Sequence, residues 1–138
     1  MVRKTSDRET AWTLAELGRL LYTHGLQASL VANALDLNEA AVAPLVTADG
    51  ATGLAEQARG DRAALVLNIL VRLEVRCGGD TNAMAAALDR PLDLLGGVSI
   101  AQTLMASPGL ATLNQLREAA GTMPVPKVRM WRVADRYS

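Results

Sequence analysis

Phenylalanine is absent from this chain of 138 residues, and its aromatics are two Trp and two Tyr. The apolar half must therefore be built from Ala, Leu and Val, and because Ala and Leu are strong helix formers an all-α fold is expected. Cysteine occurs once, at Cys77, which excludes an internal disulfide and a multi-cysteine metal site. At the end of an apolar run, Cys77 is expected to be a half-buried thiol. Histidine also occurs once. His24 has no cysteine nearby and only scattered acids, so no zinc site is expected. Neither Ser29 nor Ser99 has a second histidine to act as base, which leaves a hydrolase triad unsupported. The glycine pairs at 78–79 and 96–97 lead into no GKS or GxGxxG pattern. No catalytic residue, metal or cofactor is expected, and the chain reads as a non-enzyme.

Net charge is lacking too: fourteen basic and fourteen acidic residues cancel, so the whole molecule has no field suited to nucleic acid or membrane. Apolar runs such as Ala63 to Leu67 are far too short to cross a bilayer. Residues 1–12 develop no apolar stretch of the signal-peptide kind. A soluble, cytoplasmic protein is expected.

What is present is enough apolar surface for one sizeable core, with charge unevenly placed. Between Gln27 and Ala58 the formal charges are Asp36, Glu39, Asp49 and Glu56; after Gly121, Lys127, Arg129, Arg132 and Arg136 face Asp135 alone. An acidic middle and a basic tail can attract each other, within one chain or between two; a merely solubilising terminus fits as well.

Along the chain, Thr13 with Glu16 forms a capping-box pattern ahead of Leu14, Leu17, Leu20 and Leu21, with Gly25 as C-cap. Ser29 is the expected cap of a short helix through Leu35. Asp36-Leu37-Asn38 is a tight turn, and Asn38 caps a helix from Glu39 to Val46 that contains Pro44 as its end or kink. Residues 47–60 read as a linker with one helical turn at 54–59. The strongest helix runs from Asp61 to about Arg76, apolar on so many sides that it needs more than one neighbour or forms a dimer face. Gly78-Gly79-Asp80 ends it, Thr81 or Asn82 caps a helix through Leu88, and Ser99 caps another to Met105. Ser107-Pro108-Gly109 turns the chain into a last helix, Leu110 to Ala119, closed by Gly121. The tail, with Val128, Met130, Trp131 and Val133, suits a short strand or an arm laid over a partner. Residues 13–50 have the outline of a divergent helix-turn-helix. The segment meant for base recognition is nearly free of basic side chains, so Asn38 and an N-terminal arm of Arg3, Lys4 and Arg8 are its candidate DNA contacts.

The least generic stretch is ALDRPLDLLGGVS, residues 87–99. Physically it reads as a packed corner: Pro91 starts a helical turn, Leu94 and Leu95 face inward, and Gly96-Gly97 reverses the chain where a side chain would not fit. Leu88, Pro91, Leu95, Gly96, Gly97 and Ser99, followed by Leu104 and Gly109-Leu110, also resemble in order and spacing the toxin-binding domain of the Xre/MbcA/ParS antitoxin family. Ala87 stands where that family has tryptophan, and Ile100 where it has proline. The resemblance covers residues 60–118 well and 13–50 loosely.

That resemblance implies a small helical bundle whose N-terminal half is helix-turn-helix-like (13–50), a toxin-binding-like helical domain (61–120) and a basic tail (121–138). It implies an antitoxin that docks onto a RES-domain toxin, one that consumes NAD, and blocks its active site. The expected partner-binding residues are Leu95, Gly96, Gly97 and Ser99 at the corner and Arg129, Trp131, Arg132 and Tyr137 in the tail, Trp and Arg being frequent interface anchors. A homodimeric regulator that binds operator DNA is the alternative, and a self-assembling helical scaffold the third reading.

Overall fold

The computed structural model describes residues 7–42 and 59–122. Among these every regular element is helical, apart from a single bridge between Leu92 and Val98. The all-α small helical bundle expected from composition is what forms. Pro44, Leu45, the linker through residue 58, Arg3, Lys4 and the tail with Arg129, Trp131, Arg132 and Tyr137 lie outside the described residues.

Helix α1, Asp7–His24, starts six residues before the expected cap. Thr13 is buried inside it, and its hydroxyl donates to the Glu9 carbonyl one turn back, at 2.9 Å. The capping-box reading of Thr13 is therefore corrected: the polar residues before it continue the helix back to Asp7. The other end is as expected. Gly25 takes φ +61° and the Leu26 N–H reaches back to the Leu21 carbonyl, closing the helix in a left-handed cap.

Helix α2, Ala28–Ala32, has Gln27 and not Ser29 at its N-cap, and it stops three residues before Leu35. Asp36, at φ +60°, turns the chain there while the Leu37 N–H bonds to the Ala32 carbonyl. Asn38 does cap α3, Glu39–Val42: its side-chain oxygen accepts from the Ala40 N–H at 3.2 Å.

Helix α4, Gly60–Arg76, is the spine. Ala63, Val66, Ile69, Leu70 and Leu73 are fully buried, with α1 packed on one side and α7 on the other. This answers its apolar breadth with two neighbours within one chain. Cys77, at its C-cap, is buried outright where a half-buried thiol was expected. Gly78 and Gly79, both at positive φ, end the helix as foreseen. Helix α5, Thr81–Asp89, is capped by Asp80, whose carboxylate accepts from the Ala83 N–H at 2.9 Å; neither Thr81 nor Asn82 holds that role. An acid one residue earlier takes one of the orphan donors, the Ala83 N–H, and suits the positive end of the helix.

Helix α6, Ile100–Met105, opens on a full capping box. The Ser99 hydroxyl accepts from the Gln102 N–H at 3.1 Å, and the Gln102 side chain accepts from the Ser99 N–H at 2.9 Å. We expect Ser99→Ala to lower stability by about 1 kcal/mol, visible as an earlier urea midpoint with an unchanged slope. Helix α7, Leu110–Thr122, continues through Gly121 instead of closing there. A Cβ at Gly121 would lie 2.7 Å from the Arg72 guanidinium, which donates to the Arg117 carbonyl. That glycine serves a close approach between α4 and α7.

One hydrophobic core runs from Leu14 to Ala120 and takes side chains from α1, α2, α4, α5, α6 and α7, with Val42 of α3. The buried Arg62 links distant parts of it: its Nε donates to the Ala34 carbonyl at 2.9 Å and its Nη2 to the Pro108 carbonyl.

Candidate protein-binding surface

The corner between α5 and α6 is built from backbone bonds. Arg90 is extended, at ψ 124°, as a residue before proline must be. Pro91 thus breaks the chain after α5 instead of starting a turn, and a short 3₁₀ segment follows at Asp93–Leu95. The Leu92 N–H donates to the Val98 carbonyl at 3.1 Å, and the Gly97 N–H donates to the Leu92 carbonyl at 2.9 Å. Gly96 and Gly97 take φ +74° and +89°. Nothing lies within 4 Å of a Cβ built on either. Their requirement is therefore backbone conformation and not the lack of space expected from the sequence.

Leu94 does not face inward: it is 62% exposed, and Leu95 is half-buried. A 3₁₀ segment of one turn points successive side chains in different directions, so only one leucine of the pair can reach the core. Leu95 and Val98 form one wall of an open groove of about 330 Å³, completed by Gln102, Thr103 and Ala106 along α6 and its end, and by Thr112 and Gln115 of α7. No charged side chain lines it. Val98 is 40% exposed, and the exposed Met105 and Leu110 bracket the loop that joins α6 to α7. Apolar side chains with a neutral polar margin form the kind of surface that protein interfaces bury at their centre. Ser99 lies just behind this wall, buried, and acts by holding α6 in place.

The residues considered for DNA are placed differently. Arg8 is exposed on the first turns of α1, where it lines a second cavity of about 470 Å³ with Glu9, Trp12 and Thr13. Asn38 is exposed, but its side-chain oxygen is engaged in its own cap. Among the described residues, α3 presents an acid and no base.

A polar cluster escaped the sequence reading altogether. The His24 side chain is only 1% exposed and joins three helices. Its Nε2 lies 2.7 Å from a Glu74 carboxylate oxygen of α4, and its Nδ1 lies 2.8 Å from the Thr81 hydroxyl of α5. Arg19 adds a contact to Glu74 at 3.5 Å and a closer one to Glu16 at 2.7 Å. Burial pushes the Glu74 carboxyl up, but hydrogen bonds from His24 and Arg19 outweigh it and hold the group below its ordinary value. A depressed carboxylate stabilises the fold above its ordinary value and loses that contribution as the pH falls through its folded value. Thermal melts from about pH 6 down to about pH 3 should therefore fall less steeply for Glu74→Gln than for the parent chain. No signal in the sequence brings these residues together, since His24 is 50 and 57 positions from its partners.

Among the described residues no group of three or more His, Cys, Asp or Glu is placed to hold a metal ion. No helix among them is long and apolar enough to cross a membrane. Compared with models of known families, with curated proteins and with solved structures, the chain matches none.

Proposed function

We propose that this chain is an antitoxin-like protein that binds a cognate protein partner and occludes its active site. The observation that carries the reading is the uncharged groove between the corner and α7, with Leu94, Val98, Met105 and Leu110 exposed around it. It coincides with the stretch that resembles the toxin-binding domain of the Xre/MbcA/ParS family. By that resemblance the partner is a RES-type toxin that consumes NAD. The corner and α6 supply the docking face, while Arg129, Trp131, Arg132 and Tyr137 of the tail reach into the partner. The test is NAD consumption by the co-purified partner, with and without the chain. Consumption suppressed by the full chain and restored on truncation after Thr122 supports the reading. Equal affinity and equal suppression by the truncated chain contradict the role given to the tail.

A second reading, a homodimeric DNA-binding regulator, draws on the two short helices α2 and α3 packed across the Asp36 turn and on Arg8 at the surface. It predicts retardation of upstream promoter DNA that weakens steeply with added salt. Retardation that is absent, or indifferent to salt, counts against it.

A further inference from the structure

The His24 cluster has the parts of an activated nucleophile, and it stands apart from the docking surface. Glu74, ionised and acceptor-only, lies 2.7 Å from Nε2 and so makes that nitrogen the donor. The tautomer leaves Nδ1 bare, and the Thr81 hydroxyl, 2.8 Å away, donates to it. A hydroxyl on a histidine that is oriented by a carboxylate is the arrangement that prepares an oxygen for attack. The ring is shielded, with its side chain 1% exposed, whereas Thr81 is an exposed residue. Arg19 holds Glu74 from the far side.

The backbone supplies the rest. Thr81 is the first residue of α5, and the first intrahelical bond of that helix runs from the Met84 N–H to the Asp80 carbonyl. Asp80 takes the Ala83 N–H with its side chain. The N–H groups of Thr81 and Asn82 precede these bonds and, with the helix dipole, favour negative charge beside the hydroxyl.

We propose that Thr81 is an acyl-accepting nucleophile, with His24 as its base and Glu74 as the positioning residue, and that its substrates are small activated acyl donors such as thioesters or aryl esters. Thr81 Oγ1 attacks the acyl carbon while its proton passes to His24 Nδ1 and the carbonyl electron pair moves onto oxygen. The resulting oxyanion sits at the first turn of α5. Its collapse breaks the bond to the leaving group, and the departing thiolate or phenolate takes the proton back from Nδ1. Thr81 is left as an ester, which water can cleave by the same route.

The test uses the full chain and an alkyl fluorophosphonate, which forms a P–O bond to an activated hydroxyl as fluoride leaves and is not readily hydrolysed. Peptide mass spectrometry should find the phosphonyl group on Thr81. It should be absent from Thr81→Val, present in Thr81→Ser, and absent from the chain unfolded in urea. Glu74→Gln, shown to be folded by circular dichroism at the assay temperature, should react roughly 100-fold more slowly. An unmodified Thr81 in the folded chain overturns the proposal, as does equal reaction in the urea-unfolded chain. Undiminished reaction in folded Glu74→Gln overturns it too. If Glu74→Gln does not fold, the valine and serine variants and the unfolded control decide it.

Discussion

Replacing Arg62 by alanine is expected to cost about 2–4 kcal/mol. The guanidinium is buried and donates to two carbonyls far apart in the chain, those of Ala34 and Pro108. Both carbonyl-bearing residues are themselves buried. Without the donor, two acceptors stay in the interior with nothing in place of it, and an unpaired buried polar group costs its desolvation in full. Because the total stability of a domain is about 5–15 kcal/mol, the loss is a large share. Lysine carries a single ammonium in place of a fork of donors and should recover only part of it. Urea unfolding reads both variants. A midpoint for Arg62→Ala equal to that of the parent would mean that the two contacts contribute nothing.

The second large effect concerns binding. Leu94 and Val98 lie on the corner with 62% and 40% of their surface exposed. A glutamate at each position can keep its charge in water in the isolated chain, so the melting temperature should change little. In a complex both charges would be buried beside a groove whose own lining has no charged side chain to pair with them. The double variant Leu94→Glu, Val98→Glu should therefore lose roughly 100-fold or more in partner affinity. Arg8→Glu, made on the first turns of α1 at a residue that does not line the groove, should leave that affinity unchanged; titration of a labelled chain into the partner separates the two outcomes.

How much was legible follows from how local each device is. The Ser99 cap, the Asn38 cap, the Gly25 cap and the Gly78-Gly79 stop each depend on residues within one or two turns, and all stand in the structure as read, while the reciprocal bond from the Gln102 side chain is added by the structure. Local ambiguity explains the errors. Thr13-x-x-Glu16 has the pattern of a cap, yet the polar segment before it continues the helix back to Asp7, and its threonine bonds within the turn. Asp80, Thr81 and Asn82 are all competent N-caps, so the sequence does not single out Asp80 over the expected Thr81 or Asn82. Apolar character alone puts Leu94 inside, whereas the backbone direction of the 3₁₀ turn puts it outside. Gly96-Gly97 was rightly read as a reversal, but the cause is positive φ in open space.

The contacts invisible in the sequence are those between elements. His24 finds Glu74 and Thr81 only because α1 packs along α4 and both end near the start of α5. Arg62 finds Ala34 and Pro108 by crossing from the spine to two separate turns. A lone histidine and one of three arginines in an apolar helix look unremarkable in a linear reading, since nothing in their neighbours encodes the partner. The groove is a partial case: its corner was singled out by residues 87–99, while Thr112 and Gln115 of its far wall were not.

The most direct measurement is isolation of the tagged chain from its native cells, with the stoichiometry of what remains bound after a high-salt wash, run beside the Leu94→Glu, Val98→Glu variant. The account predicts a small protein retained in fixed ratio by the parent chain and missing from the variant. Retention of that protein by both, or survival of a homo-oligomer alone, would contradict the claim that the corner and its groove hold a dedicated protein partner.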